Sequence, residues 1–345
     1  MTEDEWRGGL APLYDYMLPG KPDDPAMRES ASIWLFEENG AFALPRVGIE
    51  AMGSGWGNHR VDMNASFAGG RVLVETGGVH ASHSPLDAAG NPRILGSGPL
   101  RMEVIEPYRR WRVSYDGAPV ETTSEAMTGG AIDTSRTTPL KWDVEIEMVT
   151  PCWVQDNTPE RLVGLSEREM DDARSMGLGY SMEHQFRGAG TMTLDGETRS
   201  FKAVGNRIHR QSVRPLDGFR GHVWQAAVFA DGRAFAYIAY PPGEDGSTYN
   251  EGYVFIDGKI HAASATTIPW LTAAGLTSEG QDNSLEIAWD GGSARIAGAG
   301  MLNTFKVMHE GEMAGFALNQ GGARYSWDGQ QTIGMIERST WLNQL

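Results

Sequence analysis

Residues 190–214 read GTMTLDGETRSFKAVGNRIHRQSVR and carry the clearest structural signal in this chain. Asp195-Gly196 separates two segments of strand-like composition, Gly190–Leu194 and Arg199–Val204. An Asp-Gly pair between such segments favours a type I′ hairpin turn, because both central residues of that turn need positive φ. The stretch therefore predicts two antiparallel strands joined by a tight turn.

The Asp-Gly pair recurs along the chain. Eight copies occur, and seven of them follow residue 190, beginning at positions 195, 217, 231, 245, 257, 290 and 328. This recurrence predicts that the second half is an antiparallel meander. In the first half, Trp142–Thr150 alternates apolar residues with acidic ones, which is typical of a half-buried strand.

These patterns predict an all-β protein of two units with few short helices. Helices are expected over Glu3–Met17, from an N-cap at Thr158, and from a capping box at Ser166 that runs to Met176. The polar helical stretch is the natural boundary between the two strand-rich regions. We predict an N-terminal β domain over residues 1–157, a helical linker over 158–179 and a C-terminal β domain over 180–345.

Composition limits the classes of partner. The chain has 345 residues and a formal net charge of −16, which leaves no basic surplus to bind nucleic acid. Its one cysteine, Cys152, excludes an intramolecular disulfide. No apolar run is long enough to span a membrane, and no signal peptide is visible. We expect a cytoplasmic, soluble protein, with a homo-oligomer left open.

Chemistry is concentrated in the second part of the quoted stretch, Gly205–Arg214. Arg207 and His209 are two residues apart, so on an extended strand both side chains point to one face. A guanidinium and an imidazole directed at an apolar interior need an explanation. Either they pair with some of the chain's many carboxylates, or they belong to a ligand site.

Several stretches resemble the tandem lipocalin-like superfamily that includes carotenoid 1,2-hydratases (hydroxyneurosporene synthases) and AttH-like proteins. Arg207, His209 and Arg214 match the Arg, His and final Arg of a signature close to Gly-x-x-Arg-Asp-His-Ser-Trp-Gly-x-Arg. Further similar segments are Met182–Gln185 with Gly188 and Asp195-Gly196, Glu106–Gly117, and Gly334–Glu337. The resemblance implies two lipocalin-like (calycin-type) antiparallel β-barrels or sandwiches in tandem, with an apolar pocket in or between them.

Between Arg207 and Arg214 the chain departs from that signature at four positions. Ile208 replaces the signature Asp, and Arg210, Gln211 and Ser212 replace its Ser, Trp and Gly. Hydration of an isolated alkene needs a strong acid, and the signature carboxylate is absent. The resemblance therefore supports the fold and the location of a site better than it supports one reaction.

We predict that His209, Arg207 and Glu183 form the catalytic group. His209 would move a proton, Arg207 would hold an oxyanion, and Glu183 or a tyrosine would supply the second acid or base. The residues predicted to bind substrate are a further cation and four aromatic side chains: Arg214, Trp224, Tyr240, Tyr253 and Trp142. For each aromatic residue, ordinary core packing is the alternative.

No motif in the sequence indicates a cofactor. The chain lacks a P-loop, an HExxH zincin motif, a dinucleotide fingerprint and a nucleophile elbow, and His80 and His83 have no clear third metal ligand. We therefore predict a cofactor-independent lyase or isomerase without a metal site. Its substrate would be a hydrophobic terpenoid, steroid or aromatic phenylpropanoid-like molecule. The alternatives are a non-catalytic carrier of a lipid or isoprenoid, or an assembly protein without an enclosed pocket.

Overall fold

The computed structural model describes residues 1–75, 78–130, 132–158, 160, 162–214, 219–243, 246, 248–273, 276, 279–309 and 313–345. Within these residues the chain is almost entirely β-strand, which confirms the predicted all-β class. None of the helices in the described ranges is long and apolar enough to span a membrane.

The strands form two antiparallel sheets. The first sheet contains β1 (Met27–Glu37), β2 (Phe42–Met52), β3 (Asn58–Phe67), β4 (Arg71–Glu75), β5 (Val79–Ala81), β6 (Ile94–Ser97), β7 (Leu100–Glu106), β8 (Arg110–Gly117), β9 (Val120–Thr123), β10 (Leu140–Met148), β11 (Trp153–Asp156), β12 (Leu178–Leu194) and β13 (Glu197–Val213). The second contains β14 (His222–Val228), β15 (Ala234–Ala239), β16 (Asn250–Ile256), β17 (Lys259–Thr267), β18 (Leu285–Trp289), β19 (Gly292–Val307), β20 (Phe316–Trp327) and β21 (Gln330–Trp341).

The first sheet curves around its own core. Its strand order is β6-β7-β8-β10-β12-β13-β1-β2-β3-β4-β9, with β11 paired to β12 and β5 paired to β3. A bridge between Ser82, next to β5, and Ser97 in β6 joins the β5 branch to one end of the sheet. In β10 the buried and exposed residues alternate as predicted, and Trp142 lies in this core.

The second sheet is a closed eight-stranded barrel in which each strand pairs with its neighbours along the chain. Its interior is filled by aromatic and aliphatic side chains, including Phe235, Tyr237 and Tyr325. The outer surface of β14, β15, β16 and β21 packs against the first sheet. That contact forms a third core between the two sheets, which we call the interface.

Several Asp-Gly pairs form the predicted turns. Both residues have positive φ at Asp195-Gly196, Asp257-Gly258 and Asp328-Gly329, which join β12 to β13, β16 to β17 and β20 to β21. Asp116-Gly117, the one pair in the first half, instead ends β8 and forms no turn between paired strands. Asp217, Gly218 and Asp245 lie outside the described residues.

The sheets divide at a different point from the predicted boundary. β12 and β13 follow residue 177, yet they pair with β10 and β1 in the middle of the first sheet. In terms of hydrogen-bonded sheets, the division therefore lies between Val213 and His222. The stretch Gly205–Arg214 belongs to the first sheet and does not open the second barrel. How many of these units fold independently stays a prediction.

The helices are short. The predicted helix over Glu3–Met17 is broken into α1 (Glu3–Trp6) and a 3-10 turn (Pro12–Asp15), because Gly8 and Gly9 adopt positive φ between them. A one-turn helix, α2 (Ser124–Thr128), follows β9. The predicted capping box of Ser166 opens α3 (Glu167–Met176). Pro159 and Arg161, near the predicted N-cap at Thr158, lie outside the described residues.

Candidate functional site

Strands β12 and β13 separate two buried compartments. In their register Glu183 lies opposite Ile208, and His184 lies opposite Arg207. Since successive side chains on a strand point to opposite faces, Arg207, His209 and His184 face the core of the first sheet. Glu183 and Arg210 face the interface. We call these the inner face and the outer face of the β12–β13 hairpin.

On the inner face, Arg207 is held by Asp15. The carboxylate of Asp15 accepts a hydrogen bond of 2.7 Å from Nη1 of Arg207, and both side chains are completely buried. Asp15 also accepts hydrogen bonds from the Trp111 indole at 3.0 Å and from the backbone N–H of Tyr108 at 2.6 Å. The guanidinium lies 4.2 Å from the centre of the Trp111 ring. This buried ion pair therefore ties the N-terminal turn to the sheet.

The inner face also contains two histidines. Nδ1 of His184 accepts a hydrogen bond of 2.9 Å from Nη2 of Arg207. Burial and the charges of Arg207 and Arg109 lower the pKa of His184 well below its usual value, so this imidazole is neutral. His209 donates from Nε2 to Glu29 at 3.2 Å. The inner cluster is thus Asp15, Glu29, His184, Arg207 and His209.

Glu29 connects the inner cluster to the surface. Its carboxylate accepts hydrogen bonds from the Leu18 backbone and from Gln211, in addition to His209. It also lines a cleft of about 350 Å³, together with Trp56 and His59 among others. A larger groove of about 560 Å³ lies elsewhere on the first sheet, around Arg112 and Asp143.

The outer face presents a buried carboxyl group. Glu183 is 0% exposed, and neither of its oxygens makes a hydrogen bond of good geometry with any described residue. Burial raises its pKa to about 8, although the charge of Arg210 and the nearby side chains of Asn206 and Trp224 partly oppose this shift. Glu183 is therefore mostly a neutral carboxylic acid at pH 7.

Aromatic rings surround this carboxyl group. Trp34 and Trp224 meet edge to face with 4.8 Å between ring centres, and Trp153 and Tyr253 lie 5.4 Å apart. The Tyr253 hydroxyl is buried and makes no hydrogen bond of good geometry in the described part of the chain. Burial raises the pKa of Tyr253, so its phenol stays protonated. The outer cluster is Glu183, Asn206, Arg210, Trp224 and Tyr253.

Four arginines lie around the outer cluster. Arg210 donates from Nε to Ser181 at 3.0 Å and lies 5.4 Å from the Trp224 ring. Arg28 contacts Glu50 at 3.2 Å, Arg46 lies over the Trp34 ring, and Arg214 donates to the Ser175 carbonyl. Burial and the charges of the other three arginines lower the pKa of Arg210 to about 9. We call Arg28, Arg46, Arg210 and Arg214 the arginine group.

A hydrogen-bonded network continues the interface beyond Trp34. The Trp34 indole donates to Glu337 at 3.3 Å, and Glu337 also contacts Nε2 of His222 at 3.1 Å. Ser339 lies 2.6 Å from Nδ1 of His222. Burial alone would raise the pKa of Glu337, but its contacts with His222 and the charge of Arg46 outweigh burial and lower it to about 2. This carboxylate is ionised and paired, unlike Glu183.

The structure divides the predicted site residues into three places. Arg207 and His209 face inward on one side, as expected, but each is paired with a carboxylate. Glu183 lies on the other side of the sheet, so the structure does not bring it together with His209 and Arg207, and the catalytic roles of these three residues stay predictions. Trp142 lies apart from both, stacked at 6.1 Å on Tyr115 in the first core.

The remaining predicted residues do gather on the outer face. Trp224 and Tyr253 flank Glu183, while Tyr240 and Arg214 lie further along the interface beside Phe219. Sequence reasoning missed Asn206 and Arg210, although both alternate with Arg207 and His209 along β13. It also missed four residues brought in from other strands: Arg28, Arg46, His222 and Glu337.

A neutral carboxylic acid in a buried, aromatic compartment can donate a proton, and a neighbouring guanidinium can stabilise the carboxylate that remains. The described residues contain no group of three or more His, Cys, Asp or Glu side chains placed to hold a metal ion. With a carboxylic acid beside a guanidinium, the outer cluster offers acid–base chemistry.

Comparisons with known proteins agree with this fold. A family model described as a domain of unknown function (DUF7064) matches residues 14–341. No curated protein matches the chain. The solved structure of an AttH-like protein from Nitrosomonas europaea is 12% identical, with 92% of each chain covered and a TM-score of 0.56.

Two further solved structures are similar. CghA with Sch210972 is 11% identical, covering 92% of this chain and 89% of CghA, with a TM-score of 0.51. Kievitone hydratase from Nectria haematococca is 9% identical over 95% and 94% of the two chains, with a TM-score of 0.47. The AttH-like and CghA structures confirm the tandem lipocalin-like fold that the sequence resembles.

Proposed function

This chain belongs to the family described as a domain of unknown function, DUF7064, and from that premise we propose that it is a cofactor-independent lyase or isomerase with Glu183 as its acid. The reaction takes place at the interface, on the outer face of the β12–β13 hairpin. The substrate is a hydrophobic small molecule of terpenoid, steroid or phenylpropanoid-like character, held against Trp34, Trp224 and Tyr253.

One observation carries this proposal. Glu183 is a completely buried carboxyl group that the described protein leaves without a well-formed hydrogen bond, and it is surrounded by aromatic rings. A buried polar group without a partner destabilises a fold, so its presence needs a compensating role. Its raised pKa keeps a proton available near neutral pH, which is the property that a general acid needs.

A single carboxyl group is sufficient for an elimination. Glu183 transfers its proton to the departing hydroxyl group of the substrate. The C–O bond breaks, and the electron pair of that bond leaves with the water molecule. The adjacent carbon then loses its proton to the Glu183 carboxylate, the C–H electrons form the double bond, and the acid is regenerated. Run backwards, the same steps add water. Protonation of one carbon and deprotonation of another would give an isomerisation.

The arrangement of cations fits an oxygen beside the reacting bond. Arg210 lies on the outer face next to the position opposite Glu183. Its guanidinium stabilises the carboxylate that forms when Glu183 gives up its proton, and it can hold a substrate oxygen that gains negative charge. Ligand entry requires the interface to open, and the partly exposed Arg46 and Arg214 mark where it borders solvent.

The test follows proton transfer directly. Dialysed protein is incubated in D₂O with a panel of terpenoid, steroid and phenylpropanoid hydroxyketones, enones, hydroxy acids and unsaturated acids. Mass spectrometry then records loss or gain of water and incorporation of deuterium on carbon. We expect turnover by the wild type and at least a 100-fold loss in Glu183→Gln, the low end of typical acid–base contributions.

Glu37→Gln is the matched control. Glu37 is also a buried carboxylate, but it pairs with Arg199 at the far end of β1, away from the interface. This variant should keep wild-type turnover per folded molecule. Absence of turnover and exchange across the panel, or equal rates in Glu183→Gln and wild type, would contradict the proposal. Binding of panel members without exchange would instead indicate the carrier alternative.

A further inference from the structure

We infer that the ligand of the interface site is an organic anion, with a carboxylate or enolate head held by Arg28 and Arg210 and an apolar body against the Trp34–Trp224 pair. This inference rests on the proposed function for the location of the site, and it specifies the charge of the substrate. The observation behind it is an unbalanced group of buried cations.

The arginine group concentrates positive charge in an acidic protein. The chain carries a formal net charge of −16, yet four guanidinium groups lie close enough at the interface for their charges to act on one another. Arg28 is 6% exposed and Arg210 is 8% exposed. Like charges gathered in a buried place repel, so this arrangement is unfavourable without a negative partner.

The described carboxylates do not balance this charge. Glu50 contacts one nitrogen of Arg28 and is itself one-third exposed. Glu183 is mostly neutral at pH 7, and Glu337 is engaged by His222, Trp34 and Gln320. The described interface therefore has more guanidinium groups than ionised carboxylates free to pair with them.

Arg28 shows most directly that the arginine group lacks hydrogen-bond acceptors. Its Nε and Nη2 are buried and make no hydrogen bond to any of the described residues. In Arg207 the Nε is likewise unsatisfied, but its other two nitrogens donate to the Asp15 carboxylate and to His184 on the inner face. An anionic ligand would supply to the arginine group what Asp15 supplies to Arg207. A guanidinium suits this role, since its fork of N–H donors matches two oxygens at once.

Strand register sets how far the charge lies from the reacting carbon. Glu183 is opposite Ile208, and Arg210 is the next outer-face residue along β13. Diagonal neighbours on one face of an antiparallel pair lie about 7–8 Å apart. The anionic head and the bond attacked by Glu183 are therefore separated by only a few bonds. This separation fits a β-hydroxy acid, its unsaturated product, or an enol of similar shape.

The experiment compares acids with their neutral esters. Binding of cinnamate and abietate, and of their methyl esters, is measured by isothermal titration calorimetry. The wild type and Glu183→Gln are both used, the latter to measure binding without turnover. We expect each acid to bind at least tenfold more tightly than its ester in both proteins.

Arginine variants locate the preference. Arg28→Gln and Arg210→Gln should each reduce the acid-over-ester ratio at least fivefold, while the charge-keeping Arg28→Lys should retain part of it. The control Arg199→Gln lies at a distant ion pair and should leave the ratio unchanged. Circular dichroism and melting curves confirm that each variant is folded before binding is compared.

Equal binding of acid and ester, absence of acid binding at millimolar concentration, or an unchanged ratio in both glutamine variants would overturn the inference. Failure of the proposed function gives a different result. In that case Glu183→Gln and wild type would show the same acid preference, but neither would transfer protons in D₂O. If the protein transferred protons only on neutral substrates, the proposed function would stand and the inference of an anionic ligand would fail.

Discussion

The two faces of the β12–β13 hairpin treat buried charge in opposite ways. On the inner face, Arg207 and His209 meet Asp15 and Glu29, and the carboxylates gather further hydrogen bonds from the backbone and from Trp111. On the outer face, Glu183 has no well-formed hydrogen bond to any described residue, and two nitrogens of Arg28 on the adjacent β1 have none either. The inner face also keeps single unsatisfied nitrogens on Arg207, His184 and His209, but Arg207 and His209 each contact a carboxylate there. The hairpin therefore carries one cluster whose cations are paired with carboxylates and one that, in our proposal, a ligand completes.

This difference shows which buried charges point to function. In the sequence, residue type alone favoured Arg207 and His209 as site residues. In the structure each is paired with a carboxylate, and these pairs are enough to explain why both side chains are buried. A buried pair loses much stability when one member is removed, because the other is left uncompensated. A buried group without a partner already carries that penalty, and proteins retain such groups where chemistry or binding needs them. The following predictions test this contrast.

The largest expected effect is on the inner face. Arg207→Met leaves the Asp15 carboxylate buried without its cation, so we expect the free energy of unfolding to fall by about 3–5 kcal/mol. Urea denaturation measures this change. Arg112→Met breaks an exposed pair with Asp143 and should cost less than about 1 kcal/mol. Similar losses of unfolding free energy in the two variants would show that the Asp15–Arg207 pair stabilises the fold no more than an exposed ion pair does.

The next effect is a pH dependence on the outer face. The pKa of Glu183 is about 8 in the folded protein and near 4.5 when unfolded. Between these values the unfolded chain releases a proton that the folded chain keeps, so rising pH favours unfolding. Relative to Glu183→Gln, the wild type should lose about 3 kcal/mol of stability between pH 4 and pH 7.

Denaturation of both proteins at several pH values measures this difference, and all groups other than residue 183 cancel in it. The loss should level off above pH 8, where Glu183 is ionised in both states. A stability difference that stays constant with pH would mean that Glu183 is hydrated and ordinary. The outer cluster would then resemble an exposed surface, and the contrast between the two faces would disappear.

The smallest effect concerns His209. His209→Gln keeps a side-chain donor that can reach Glu29, so we expect a cost of about 1 kcal/mol. Turnover per folded molecule, measured by deuterium incorporation, should stay within twofold of wild type. If His209→Gln folded well but lost turnover, catalysis would have to be assigned to the inner face, and the proposed role of the outer face would be wrong.

Local signals explain what was predictable from the sequence. The all-β class and the hairpins at Asp195, Asp257 and Asp328 follow from turn chemistry within a few residues. The capping box of Ser166 is equally local, and it correctly began α3. The inward orientation of Arg207 and His209 followed from strand alternation alone.

The grouping of site residues could not be predicted in this way. Whether Glu183 shares a face with His209 depends on the register between β12 and β13, which is a pairing property. Arg28 lies near Arg210 only because β1 pairs with β13, which is about 180 residues away along the chain. Sequence reasoning also placed β12 and β13 after the boundary, because it followed chain order and not strand order.

The alternation of β13 constrains how this chain can evolve. Deleting or inserting one residue near its middle would shift its register and exchange the contents of the two compartments. Arg207 and His209 would then meet the barrel, while Asn206 and Arg210 would meet Asp15. Natural variation in this hairpin should therefore consist of replacements at constant length. Libraries built for altered specificity should follow the same rule.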